Sequence, residues 1–151
     1  MIFNFTFLNI IDTTNDIAFI SSSSNKIFYY TGNCEFIGCV NKIEPNDKNN
    51  NNIEMKSLCF SNSNEGNSVN VIAVGLSNGL VYLYSTWDLT LMRIISINLD
   101  NSIGSIISLV YTRDCKRLFV LDSNSRIYVL ESSNSSNTQQ AMSSILIQDY
   151  E

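Results

Sequence analysis

"AVGLSNGLVYLYSTWDL", residues Ala73 to Leu89, reads as a strand, a tight turn and a second strand. Val81, Leu83 and Ser85 fall on one face of the second strand, and Leu80, Tyr82 and Tyr84 on the other. Gly79 after Asn78 permits the positive φ that a tight hairpin needs. The same punctuation returns in "VLDSNSRIYVLES", Val120 to Ser132. Aligning the two places Gly79 on Ser125, Val81 on Ile127 and Tyr82 on Tyr128, each pair 46 residues apart. Asn124 is the residue expected to take the left-handed conformation in that later turn. "SSNKIFYYTG", Ser23 to Gly32, fits as well: Ile27 falls on Val81, Phe28 on Tyr82 and Tyr30 on Tyr84, 54 residues apart. The longer spacing is about what the Asn tract at 46–52 inserts. One unit is written three times.

Outward from these hairpins, the apolar runs are short and rich in β-branched and aromatic residues, as strands are. Gly, Asn, Asp and Ser separate them. Each unit has four runs, named here a to d. The first uses roughly 2–9, 17–21, 26–30 and 35–40; the second 55–60, 70–75, 80–85 and 91–97; the third 106–111, 117–122, 126–131 and 143–148. "WDLTLMRIISI" has a β-branched tail that favours a strand over a helix. The class is all-β. Four antiparallel strands every 40 to 50 residues is the blade rhythm of a β-propeller. The expected division is a first blade at 1–44, an Asn-rich loop at 45–54, a second blade at 55–97, and a third blade at 98–151 with a Ser/Asn-rich loop at 131–140. Three blades are fewer than the four to eight that close a ring. The expectation is therefore a partial propeller, the piece of a longer one; completion by another chain, such as a second copy, is the alternative.

Composition removes several function classes. The net charge is −5 and the nine basic residues are scattered, whereas a nucleic-acid groove needs clustered Lys and Arg. The chain has no His, which excludes Ser-His-Asp and Cys-His arrangements. The cysteines, Cys34, Cys39, Cys59 and Cys115, form no C-x-x-C pair, so no metal or other cofactor is expected. Cys39 and Cys59 lie in apolar runs and read as small core residues. "GLSNG", Gly75 to Gly79, is explained by a hairpin and precedes no helix that could receive a phosphate. Carboxylate chemistry is the one catalytic route left, through Asp12 with Asp16, Asp114 with Asp122, or Glu131. Turn carboxylates more commonly cap their own backbone amides. "MIFNFTFLNII" lacks the basic region and cleavage site of a signal peptide, and no run reaches the roughly 18 apolar residues of a membrane helix. The reading is a reduced, cytoplasmic protein.

"IISLVYTRDCKRLFVLDSNSRIYVLE" resembles a WD repeat: an a-strand, a Thr-x-Asp turn, a b-strand, a second turn and a c-strand. "GLVYLYSTWDLTLMRII" is similar to the C-terminal propellers of BEACH-domain proteins of the neurobeachin and lysosomal-trafficking-regulator type, where a short aromatic-Asp-hydrophobic linker joins strands c and d. The sequence departs from the WD pattern where it matters for polar networks. Tyr30, Tyr84 and Leu130 stand at the Trp position that ends strand c, and without His the usual buried hydrogen-bond network cannot form. The resemblance implies a non-catalytic protein-interaction scaffold in vesicle or lysosomal membrane trafficking. Its partners would be proteins, or the remaining blades of a larger propeller, with no nucleic acid and no membrane insertion. Its place would be cytoplasmic, peripheral to endomembranes through a parent protein or partner. A propeller-scaffold hydrolase using carboxylates, and a truncated fragment without independent function, are the alternatives. The residues expected to touch a partner are Trp87 and Asp88 in the c–d linker of the second unit, and Arg113, Lys116 and Arg117 in the a–b turn of the third.

Overall fold

The computed structural model describes residues 5–10, 17–21, 25–40, 53–61, 71–97, 104–131 and 143–149. Among them every regular element is a strand: β1 (Phe5–Ile10), β2 (Ile17–Ser21), β3 (Lys26–Tyr30), β4 (Phe36–Val40), β5 (Met55–Phe60), β6 (Val71–Leu76), β7 (Leu80–Ser85), β8 (Leu91–Ser96), β9 (Ile106–Tyr111), β10 (Arg117–Asp122), β11 (Arg126–Glu131) and β12 (Ser143–Asp149). They form three four-stranded antiparallel sheets, β1–β4, β5–β8 and β9–β12, each in sequence order. This is the propeller-blade arrangement expected from the repeat.

The equivalence between blades extends to backbone dihedrals. Asn25 (φ 50°), Gly79 (φ 77°) and Ser125 (φ 62°) occupy the same place in the three b–c hairpins, and all are left-handed. The third turn therefore uses Ser125 rather than Asn124. There, Asp122 Oδ1 accepts from the amides of Asn124 and Arg126, both at 2.9 Å, and this bonding places the following serine at positive φ. The b–c turn is also tied to the start of strand a in the same blade. Ser77 and Glu54 exchange two bonds, Ser77 N–H to Glu54 O (2.8 Å) and Glu54 N–H to Ser77 Oγ (3.0 Å). Ser123 and Ser105 repeat that exchange at 2.8 and 3.0 Å.

Strand alternation gives each blade two apolar faces, and the faces stack. The first seam joins Ala18, Ile20, Ile27 and Tyr29 of blade one to the face of blade two bearing Leu58, Phe60, Val74 and Tyr82. Tyr29 and Phe60 meet across it with ring centroids 5.9 Å apart. The second seam joins Ala73, Val81, Leu83 and Ile95 to Leu109, Leu118, Val120 and Leu130. Fully burying such a side chain is worth roughly 1.5–3 kcal/mol, so apolar stacking dominates the assembly. Polar groups set its register. Asn25 reaches from blade one to the entry of blade two, donating Nδ2–H to Ile53 O and accepting Met55 N–H at Oδ1, both at 2.8 Å. Ser57 Oγ donates to Ile106 O across the second seam at 3.1 Å. The closing residues of the expected Asn-rich loop, Ile53 and Glu54, are thus held by named bonds; 45–52 of that loop, and 132–140 of the Ser/Asn-rich one, lie outside the described residues. Glu131 belongs to β11.

Tyr84 and Leu130, at the position of the WD tryptophan, are buried. They fill that place by packing alone.

Candidate interaction surface

In an antiparallel four-stranded sheet, the a–b and c–d connections share one end. Neighbouring blades point the same way: Ser57 in β5 bonds to Ile106 at the start of β9, while Cys59, near the other end of β5, meets Tyr111 at the close of β9. The c–d turn of blade two (86–90) and the a–b turn of blade three (112–116) therefore lie at the same end, on adjacent blades. Trp87 and Asp88 sit on the first, and Arg113 and Lys116 on the second. Arg117, grouped above with the turn, is the first residue of β10, where the 117–122 run begins, and its Nε–H bonds to Glu131 Oε1 at 2.7 Å. That pair is exposed at both partners, so it contributes little to stability.

The two turns are built alike. In the c–d turn, Ser85 N–H bonds to Thr90 O (2.9 Å) and Leu89 N–H to Ser85 O (3.0 Å), with Leu89 left-handed at φ 56°. Leu89 packs on the first core cluster; a Cβ added to Gly38 of β4 would lie 2.7 Å from its Cδ1. Asp88 accepts from the Thr90 hydroxyl (2.8 Å) and the Thr90 amide (3.1 Å). These bonds from Thr90, with a further one from Ser85, hold its carboxyl below the ordinary carboxylate range. In the a–b turn, Thr112 N–H bonds to Arg117 O and Cys115 N–H to Thr112 O, both at 2.9 Å, and Cys115 is left-handed at φ 56°. Asp114 accepts from the Thr112 hydroxyl and, at 3.1 Å, from the Lys116 amide; the hydroxyl first, then the amide and the Lys116 charge, lower its pKa.

Between these fixed frames, Trp87 is 91% exposed. Its amide bonds to Ser85 Oγ at 3.2 Å, so the backbone is set while the indole faces water. An indole held on a tight turn loses little further freedom on contact with a partner, which suits an interface anchor. Phe36, the first residue of β4, is 57% exposed and follows the c–d turn of blade one at this same end. The sequence reading missed it, because a Phe opening an apolar strand reads as core. Its place at the start of an outer d strand was the available signal.

The carboxylates do not converge. Asp114 lies before β10 and Asp122 at its far end, six strand residues away, or roughly 20 Å at about 3.3 Å per residue. Asp122 is buried and committed to two amides and the Tyr128 hydroxyl (3.3 Å). Glu131 pairs with Arg117. Asp12 and Asp16 lie outside the described residues. Among the described residues no cluster of three or more Cys, Asp or Glu could hold a metal ion, and no helix is long and apolar enough to cross a membrane. Cys59 is buried, and burial pushes its thiol well above the ordinary range, as it does the Tyr111 phenol.

No protein-family model matches the sequence. Over 119 residues, 77% of the chain, it is 35% identical to human lysosomal-trafficking regulator, and it spans 3% of that protein's length. Its structure superimposes on a chain of the mitotic checkpoint complex with a TM-score of 0.63 at 16% identity, covering 86% of this chain and 34% of that one. That neighbour is a β-propeller of the WD type, and a likeness at this identity speaks to fold alone. The three stacked sheets, their shared left-handed hairpin position and these two similarities agree: the chain is a partial WD-type β-propeller resembling lysosomal-trafficking regulator, a BEACH-type protein.

Proposed function

We propose that the chain is a non-catalytic scaffold that binds protein partners through the end of the blades carrying its a–b and c–d turns. One observation carries this reading. The Asp88 and Asp114 carboxylates brace the two turns, while Trp87 is held outward at 91% exposure. Trp87, Asp88, Arg113 and Lys116 form the contact group, with Arg117 contributing through its pair with Glu131. The similarity to lysosomal-trafficking regulator supports a setting in vesicle or lysosomal membrane traffic, on the cytoplasmic side and peripheral to endomembranes through a partner. The separation of Asp114 from Asp122 weighs against a carboxylate hydrolase. The test is capture of partners from a native membrane-associated extract, compared between the chain and its Trp87→Ala and Lys116→Glu variants. A partner retained by the chain and reduced tenfold or more by Trp87→Ala supports the proposal. Equal capture by all three proteins removes these residues from it.

A further inference from the structure

In the c–d turn of blade two, the left-handed residue reaches back onto blade one. Ala18, Tyr29 and Gly38 form one cross-strand row on the face of blade one turned to blade two. Leu89, at φ 56°, covers the β4 member of that row, Gly38. The corresponding row in blade two is Cys59, Ala73 and Leu83, turned to blade three. Its β5 member is Cys59, near the end of the blade where the a–b turn of blade three lies. The left-handed residue of that turn, at the same φ of 56°, is Cys115. The Tyr111 amide donates to the Cys59 sulfur, and Cys59, Cys115 and Tyr111 lie within electrostatic range of one another. Side-chain size follows the same pattern. At the first seam a leucine covers a residue without a side chain. At the second the row carries a Cβ and a sulfur, and the covering residue shrinks to cysteine. A thiol on one blade thus faces a thiol on the next.

We infer that Cys59 and Cys115 are a peroxide-sensitive pair that closes to a disulfide joining blade two to blade three. Cys59 is buried and Cys115 half-buried, so a peroxide meets Cys115. As thiolate, the Cys115 sulfur attacks the O–O bond of hydrogen peroxide. An S–O bond forms, the O–O bond breaks, and the departing hydroxide takes up the proton the thiol gave up and becomes water. The Cys59 sulfur then attacks the sulfur of this sulfenic acid. The S–S bond forms, the S–O bond breaks, and the hydroxyl leaves as water with the Cys59 proton. The two thiols lose two electrons in all, and one peroxide is reduced to two waters. Cys59 needs no path to solvent, because the sulfur it attacks is the one it faces. Burial keeps Cys59 itself protonated, and so inert toward the oxidant. Cys34 and Cys39 belong to blade one and lie outside this seam. In a reducing compartment the bridge is transient. While closed, it staples the turn that carries Arg113 and Lys116 to the blade that carries Trp87. Its formation requires no partner, so its test does not depend on the contact group.

The test treats the purified, fully reduced chain with hydrogen peroxide, alkylates the remaining thiols under denaturing conditions, and identifies linked peptides by non-reducing mass spectrometry. The Cys59–Cys115 peptide should exceed every other cysteine pairing by at least about tenfold, and dithiothreitol should return it to its separate halves. Closing a loop across two blades should also raise the Tm of the oxidised monomer by about 5 °C or more. Two variants keep the chemistry separate from folding. In Cys59→Ala, Cys115 should accumulate as a sulfenic acid that dimedone traps, at least about fivefold above the parent chain. Cys115→Ser changes a half-buried turn residue, leaves the core untouched, and should leave Cys59 recovered as a free thiol. Bridges through Cys34 in the majority overturn the inference. So does a parent chain in which Cys115 passes to sulfinic acid while Cys59 remains a thiol.

Discussion

Replacing Gly75 with alanine tests blade stacking at its tightest point. Gly75 lies in β6 on the face turned to blade three. The added methyl would sit 2.4 Å from Ile106 Cγ2, 2.4 Å from Ser57 Oγ and 2.7 Å from Ile106 Cβ. None of the three can swing away. Ile106 is 1% exposed and β-branched, and Ser57 is 2% exposed and bonded to Ile106 O. Relief requires the two sheets to separate by several tenths of an ångström, which loosens contacts along the whole second seam. Overpacking of this kind costs about 1–3 kcal/mol. For a chain of this size that is a fall in Tm of roughly 3–10 °C. Urea unfolding with circular dichroism reads the change directly. A double-mutant cycle with Ile106→Ala should show coupling of at least about 1 kcal/mol, because truncating Ile106 removes Cγ2, one of the two atoms that the new methyl would meet at 2.4 Å. If Gly75→Ala lies within about 0.5 kcal/mol of the parent and the cycle is additive, the sheets do not meet as described.

Asn25→Ala should lose about 2–4 kcal/mol, since it breaks both bonds to the entry of blade two and puts Ala in a left-handed position; Asn25→Gly should lose roughly half as much, because the strain is relieved and the bonds are not restored. Equal losses would show that the turn is not left-handed, and no loss in Asn25→Gly would show that the bonds carry no weight. Asp122→Ala should cost about 2–3 kcal/mol by stranding the Asn124 and Arg126 amides and the Tyr128 hydroxyl; chemical denaturation checks it, and a neutral outcome contradicts the buried cap. Asp88 and Asp114 should titrate below the ordinary aspartate range by carboxyl NMR. Because their folded pKa values are lowered, the turn bonds are fully present above the unfolded carboxylate pKa and are lost as pH falls through the lowered value. Thr90→Val should raise the Asp88 pKa toward the ordinary range, the bonds from the residue-90 amide and Ser85 remaining, and leave Asp114 unmoved.

Most of the fold was legible because its information is local. The strand runs, the four-run rhythm and the alignment of Gly79 with Ser125 follow from period-two patterning and turn residues, and the left-handed φ at Asn25, Gly79 and Ser125 shows that the alignment is physically meaningful. Reading Asn124 as the strained residue failed, because the Asp122 carboxylate, folded back on its own turn, decides which residue turns left. The start of the 117–122 run is legible from its apolar alternation, whereas the pairing of Arg117 with Glu131, which separates it from the turn's Arg113 and Lys116, comes from strand register. The candidate site was legible only in part. Trp87 is conspicuous in any sequence, but its exposure depends on Leu89 anchoring the turn against β4 of the neighbouring blade. The exposure of Phe36 depends on which faces are already stacked. Composition does not encode that.

The most direct test of the stacked-blade account is nuclear Overhauser contact across the two seams in the purified chain. The structure requires cross-peaks between the Asn25 side-chain amide and the Ile53–Met55 segment, and between Ser57 and Ile106. Cross-strand contacts within each sheet, with silence at both seams, would contradict it.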